Sequence, residues 1–382
     1  MVADDKINIA YLIDTISCDT AGTQKQLLET IRRLDKDRFE PCLICLWQSD
    51  WMAQNELPCL CIVLDYHGFM KWSFPGIVRY LAKVVEERQL HIVQTFFEDS
   101  IFVAFFAKIV ARVPFVLLSS RRDMGLGQEN QPWYHLFFAL ALPWVNRYFA
   151  GIIANSEQVR FYVAKREKTD IKKIIVIRNG VVIPERPSVS PALFGNNGCE
   201  TVWIGFVASL TSVKRHDLLI KAVAELRHKK ISHKFRVVLL GEGPERDKLA
   251  SLVAELDLKH HIHFVGAVKN VVPYLYHLDI GVICSDREGL SNAILEYMAC
   301  GLPVVATSVG GNIELVDEKN GICCPPGDHY ALATALQRLV EDGQMRMAMG
   351  AESLKKSCKT FSWDKAMAEL EGYYRSFVEN SI

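Results

Sequence analysis

The chain has no excess of either charge: lysine plus arginine and aspartate plus glutamate each number 44. Nothing in that balance calls for a nucleic-acid partner, and none is expected. A long uninterrupted apolar run is also missing. The longest apolar stretch, "WYHLFFALALPWVNRYFAGIIANSE" from Trp133, is broken by Pro143, Asn146 and Arg147. It reads as a buried helix followed by a buried strand rather than as a spanning segment, with a membrane-surface element as the alternative. The start, "MVADDKINIAYLID", places two aspartates and no basic segment ahead of its apolar run, unlike a secretory leader. Charge is sparse at 23% against 50% hydrophobic residues, which excludes a disordered chain. The 11 cysteines are odd in number and scattered, as in a reduced cytoplasmic protein. Cys42-Leu-Ile-Cys45 followed by Cys59-Leu-Cys61 hints at zinc. "PCLICLW" reads as a strand, however, and residues three apart on a strand face opposite ways, so core thiols and no metal are expected.

What is present is alternation. "INIAYLI", "PCLICLW", "CIVLDY", "HIVQTF", "FVLLSS", "GIIANS" and "KIIVIRNG" are strand candidates in the first half, most of them separated by helical patterns such as 24–34 and 77–87. Apolar strands alternating with helices mean a parallel sheet covered on both faces. The stretch "IPERPSVSPALFGNNGCE", Ile183 to Glu200, breaks the rhythm with proline, serine, glycine and asparagine and reads as a linker that lets two domains close. The rhythm resumes with "TVWIGFVA", "FRVVLLGEG", "HIHFVGAV", "DIGVICS", "PVVATS" and "GICCPP". At 382 residues, two doubly wound α/β domains are expected, 1–185 and 186–360. Their ligands would bind at the carboxyl ends of the strands, in a cleft between the sheets. A last amphipathic segment, 361–382, carries Trp363, Met367, Leu370 and Tyr374 at helical spacing and must dock on something already folded.

Four strand-to-helix junctions could carry chemistry. In "ASLTSVKRHDLLIKAV", Lys214 falls near a helix start, where a cation does nothing for helix stability but favours an anionic ligand. A solvated lysine is the plain alternative. "LLGEGPERDKL" sets Gly241, Gly243 and Pro244 in a turn, but Arg246 stands where a dinucleotide fingerprint needs its third glycine. A turn where backbone approaches a planar base stays open. Gly22 follows the first strand at a helix start, a single weak anion cradle. In "DREGLSNAILEYMA", Glu288 sits in the loop after a strand, Gly289 lets backbone approach a ligand, and Leu290, Ser291 and Asn292 supply the free amides of the next helix. Glu296 lies on that helix, so the two acids can straddle a sugar nucleotide, whose hydroxyls they would accept while Lys214 and the amides take its diphosphate.

The stretch from Glu288 to Val316, "EGLSNAILEYMACGLPVVATSVGGNIELV", resembles the E-x7-E region of retaining glycosyltransferases of family 4, which have the GT-B fold. "NSEQVR", "VIRNGVVIP", "FVASLTSVKRHDLLIKAV", "LLGEGPERDKL" and "NGICCPPGD" extend the resemblance over essentially the whole chain. It implies two Rossmann-like domains facing a cleft and a final helix crossing back to the first, acceptor-side domain. It further implies Glu288 on the donor sugar, Glu296 on the ribose, Lys214 on the diphosphate with the amides of Leu290, Ser291 and Asn292, Gly243 and Val268 beside the nucleobase, and Gly22 closing over the phosphates. No metal or cofactor is implied. Three positions depart from the pattern. Ser209 stands where arginine is common, and Gln94 and Phe96 stand where histidine is usual, with Glu98 and Asp99 close by. Arg121 and Arg122, at another strand end, are candidates to restore the missing positive charge or to bind an anionic acceptor, a surface arginine pair being the alternative.

The expectation is a metal-independent, retaining transferase acting on a UDP-sugar or GDP-sugar, UDP foremost, with a glycan or lipid-linked acceptor in surface polysaccharide or glycolipid synthesis. It would be cytoplasmic, with peripheral association at the inner membrane face. The alternatives are an epimerase or phosphorylase on the same fold, or a non-catalytic nucleotide-sugar sensor or assembly partner.

Overall fold

The computed structural model describes residues 6–124, 135–195, 201–229, 231 and 233–378. The chain divides into two compact units, one made of the segment up to Arg178 together with the segment from Asp364, the other of Asn179–Trp363.

The first unit carries seven strands: β1 (Ile7–Ile13), β2 (Phe39–Cys45), β3 (Leu60–Val63), β4 (Ile92–Phe96), β5 (Val116–Arg121), β6 (Gly151–Ala154) and β7 (Ile174–Val176). Their order is β3-β2-β1-β4-β5-β6-β7, all parallel. The interior strands read as apolar runs because both faces are covered: Ile9 through Ile13 are all fully buried. The second unit carries β8 (Thr201–Val207), β9 (Lys234–Leu240), β10 (Ile262–Gly266), β11 (Ile280–Ile283), β12 (Val304–Thr307) and β13 (Gly321–Cys324), parallel in the order β10-β9-β8-β11-β12-β13. In each sheet the order reverses once, at β1/β4 and at β8/β11. Helices leave in opposite directions there, so the loops part and open a crevice at the carboxyl ends.

The final helix, Trp363–Val378, packs on the first sheet. Its Tyr374 is fully buried, meets Phe39 edge-on at 6.1 Å, and shares hydrogen bonds with Tyr11 and Gln94. Glu371 accepts from the Asp35 amide at 3.0 Å. Helix formation is therefore driven by the Met367, Leu370 and Tyr374 stripe, which leaves the water for an existing surface.

Three expectations need correction. The unit boundary falls at 178/179, seven residues before the expected one. Most of the stretch expected to be a linker belongs to the second unit. Phe194 is buried there, stacked on His277 and edge-on to Trp203, and the Tyr276 hydroxyl donates to the Pro184 carbonyl at 2.6 Å. One aromatic ring outweighs the surrounding turn residues, because burying it recovers about 2 kcal/mol. Residues 196–200 lie outside the described set. Finally, the helix expected to be buried, His135–Val145, is buried on one side only: Phe138 and Leu142 are inside, whereas Phe137, Leu140 and Trp144 are exposed. Among the described residues, no helix is long and apolar enough to cross a membrane.

Cys42 and Cys45 sit in β2 opposite Leu60 and Val63, and the free Cys45 thiol donates a hydrogen bond to the free Cys61 sulfur on the neighbouring strand. Burial pushes the Cys42 and Cys59 thiols up, to about 12 and about 11, so both behave as apolar side chains. Among the described residues no group of three or more His, Cys, Asp or Glu side chains is placed to hold a metal ion.

Candidate active site

The loops at the β8/β11 switch are tied together by charge and backbone. After β8 the chain makes one 3-10 turn, Ser212–Lys214, before the helix His216–His228 begins. Lys214 therefore precedes that helix by two residues instead of opening it. Between them Arg215 adopts φ 53°, a strained value for a residue with a Cβ. Two ion pairs hold it there, to Asp217 and to Asp286, each at 2.9 Å. The Asp286 amide also donates to the Val213 carbonyl at 2.9 Å. This clasp joins the loop after β8 to the loop after β11.

Its consequence is a short contact: Lys214 Nζ lies 2.6 Å from Glu288 Oε1. The same carboxylate oxygen accepts from Ser285 Oγ at 2.6 Å. Glu288 is only 5% exposed. Its hydrogen-bonding capacity is partly committed, while Lys214, at 22% side-chain exposure, keeps further N–H donors for a ligand. The loop is braced beneath: Thr307 Oγ1 donates to the Ser285 carbonyl at 2.6 Å, and the Gly311 amide donates to the Gly289 carbonyl at 2.8 Å.

Leu290 and Ser291, both buried, lead into the helix Asn292–Ala299. Ser291 is its N-cap, its hydroxyl accepting from Ile294 N, and Asn179 Nδ2 donates to Asn292 Oδ1 at 2.8 Å. The helix start follows the loop at the carboxyl end of β11, where helix N-termini favour anions. Glu296 is half-buried on the second turn. Thus Lys214, Glu288, Leu290, Ser291, Asn292 and Glu296 belong to one loop-and-helix assembly.

The glycine turn has another explanation than a base. A Cβ on Gly243 would stand 2.4 Å from the Leu210 carbonyl oxygen, and one on Gly241 2.0 Å from that of Ala208. The two loops are laced by Leu210 N to Glu242 O and Glu245 N to Leu210 O. Both glycines are needed for this backbone contact itself. The Gly241 amide also donates to the Gly266 carbonyl, which carries the half-buried Val268 alongside. Ser209 is exposed in the loop after β8.

Gly22, Arg121 and Arg122 lie in the first unit. Gly22 opens the helix Gly22–Arg33, and Gln24 Oε1 folds back to accept from the Ser17 and Cys18 amides. Arg121 is engaged by Glu167 through two 3.0 Å contacts and by Asn146. It neutralises a buried acid, which weighs against a catalytic part. Arg122 lies over the Phe96 ring, and burial pulls its guanidinium down to about 10. Gln94, at a position where histidine was looked for, holds Ser120 and Tyr374 in the core.

Sequence reasoning missed Ser285, Arg215, Asp286 and His216. The opposed runs "KRHD" and "DRE" were a usable signal for the clasp. His216 gave none: it is 1% exposed, stacked at 4.1 Å on Phe206, and neither ring nitrogen has a hydrogen-bond partner. Burial pulls its pKa down to about 4.

Two parallel, doubly wound sheets with the final helix packed on the first define a GT-B glycosyltransferase fold. Anabaena HepE in complex with UDP has this fold, matching 97% of the chain and 100% of its own with a TM-score of 0.80 at 20% identity. The model described as glycosyl transferases group 1 matches residues 201–342, and that of glycosyltransferase family 4 matches 20–183. The chain belongs to these family 4-like glycosyltransferases. An uncharacterized glycosyltransferase of Methanocaldococcus jannaschii is 32% identical over 46% of the chain and 45% of its own length. A D-inositol 3-phosphate glycosyltransferase of Kineococcus radiotolerans is 30% identical over 60% of the chain and 58% of its own. The chain thus spans about half the length of these curated relatives.

Proposed function

We propose that the chain transfers a sugar, with retention of anomeric configuration, from a UDP-sugar to an acceptor hydroxyl on a glycan or lipid-linked sugar. The observation that carries this reading is the 2.6 Å Lys214–Glu288 pair beside the start of the helix Asn292–Ala299. Lys214 and the helix amides meet the diphosphate, whose negative charge grows as the glycosidic bond breaks. Donors fixed in place before reaction stabilise that charge without reorganising. Glu288 lies at the sugar end, and Glu296 accepts from the ribose hydroxyls. UDP as the base-bearing group is supported by the HepE complex, and transfer to a polyol by the name of the inositol 3-phosphate relative.

Retention is what the family resemblance implies. In this reading Glu288 is not the nucleophile, because its Oε1 already accepts from Lys214 and Ser285. Attack on the leaving-group face, with a phosphate oxygen taking the acceptor proton, needs no such group. The positive charge of Lys214 and the helix end serves the diphosphate, so activity is expected to survive chelator. Peripheral membrane association fits a lipid-linked acceptor. The test is UDP release from a panel of UDP-sugars without acceptor. Slow release from one of them supports transfer, whereas tight binding with no release over a day favours a sensor.

A further inference from the structure

The loop after β11 that carries Glu288 is fastened on both sides of the acid by the segment that follows the next strand. On the near side Thr307, the last residue of β12, donates from Oγ1 to the Ser285 carbonyl at 2.6 Å. On the far side the Gly311 amide donates to the Gly289 carbonyl at 2.8 Å. Ser285 in turn donates from Oγ to Glu288 Oε1 at 2.6 Å. We propose that Ser285 and Thr307 are positioning residues for the transfer reaction: they fix the Glu288 carboxylate so that Oε2 is the oxygen it presents to the donor sugar. This rests on the reading of the chain as a glycosyltransferase and adds to it two residues that hold the acid without touching the substrate.

The strand ladder explains why a side chain is needed here. β11 and β12 pair only from Gly281 with Val304 to Ile283 with Ala306. Beyond that point the Ser308 amide turns away to the Cys324 carbonyl on β13, and Thr307 Oγ1 takes over as the link to the loop. Thr307 is itself held, its carbonyl accepting from Asn312 Nδ2 at 3.2 Å. Ser285, Thr307 and Asn312 are each at most 1% exposed, so water does not compete for these bonds.

The two donors on Glu288 Oε1 differ in stiffness. Lys214 reaches it at 2.6 Å on a flexible four-carbon stem, and its ammonium is the group a diphosphate draws. Ser285 Oγ turns on one bond from a backbone that Thr307 pins. The end torsion of a glutamate is soft, so its carboxylate takes its angle from the donors around it. When Lys214 turns to phosphate, Ser285 keeps Oε1 in place and Oε2 accepts from the sugar. A carboxylate free to swing would sit about 1 Å out of place, a displacement that costs on the order of a hundredfold in rate.

The test compares Ser285→Ala with Thr307→Val, which keeps the shape without the hydroxyl, and Thr307→Ser, which keeps the hydroxyl. UDP-sugar turnover and calorimetric UDP affinity are measured on the full chain. Ser285→Ala and Thr307→Val should each lose about tenfold or more in kcat while UDP affinity stays within about twofold of the wild type, and Thr307→Ser should recover kcat to within about threefold. Unchanged kcat in Ser285→Ala and Thr307→Val would overturn the proposal. So would a loss of UDP affinity matching the loss of kcat, which marks a general loosening of the site. Urea denaturation keeps this separate from the transferase reading. Ser285→Ala should raise the unfolding equilibrium constant about fivefold in the wild type, the weight of one hydrogen bond, and less than about twofold in Glu288→Ala, where the acceptor is gone. Equal effects in both backgrounds would overturn the proposal even in an active enzyme. A wild type that turns over no UDP-sugar would count against the transferase reading, with the coupling still deciding whether Ser285 holds Glu288.

Discussion

Removing either partner of the Lys214–Glu288 pair should reveal an energetic coupling that the double variant cancels. The two atoms are 2.6 Å apart, with side chains 22% and 7% exposed. At an effective dielectric of ~20, the gross attraction is about 6 kcal/mol, most of it offset by desolvation. Stranding one member of a fully buried pair costs about 3–5 kcal/mol. Lys214 is partly wet, so the costs here fall below that range. Lys214→Met leaves Glu288 buried against Ser285 alone and should cost about 2–3 kcal/mol. Glu288→Gln leaves an ammonium that can turn toward water and keeps the Ser285 contact, so about 1–2 kcal/mol is expected. The double variant removes both charges and should fall near the milder single, giving a coupling of about 1.5 kcal/mol or more. Urea denaturation of the four proteins measures it. Single effects that add to within about 0.5 kcal/mol would show that the pair is a surface contact, and the geometric account of the site would fail.

Three further outcomes follow from buried groups. His216 has a folded pKa of about 4 against 6.5 unfolded, so its neutral burial favours folding above pH 6.5 and that advantage is lost as pH falls toward 4. The loss is about 3 kcal/mol, and His216→Phe should flatten the stability profile over that window; an unchanged profile would place the ring in water. Gly243→Ala pushes a methyl against the Leu210 backbone and should cost about 1–3 kcal/mol, seen as a lower melting temperature, whereas no change would mean the two loops part freely. Tyr374→Phe strips the buried hydroxyl that meets Gln94 and Tyr11 and should cost about 1–3 kcal/mol; faster hydrogen exchange in the final helix checks it, and unaltered exchange would contradict its anchoring role.

Much of this was legible in the sequence. Alternating apolar strands and helices gave both parallel sheets, because period and burial are local properties. Lys214, Glu288 and the helix at Asn292 were legible as well, since strand ends and glycine turns mark the carboxyl edge of a sheet. What failed was tertiary. Phe194 pulled a proline-rich stretch into a core. Gly241 and Gly243 are required by another loop's backbone, a contact the sequence did not announce. Arg121 was claimed by Glu167, 46 residues away.

The central claim is that Lys214 and the neighbouring helix start hold the diphosphate of a nucleotide sugar. Calorimetric titration of UDP into the wild-type chain, Lys214→Met and Glu288→Gln tests it most directly. The account predicts binding to the wild type, at least tenfold weaker binding to Lys214→Met, about 1.4 kcal/mol, and full binding to Glu288→Gln, which keeps Lys214 and lacks only the sugar contact. Equal affinity in the wild type and Lys214→Met, or no heat from UDP or GDP in the wild type, would contradict it.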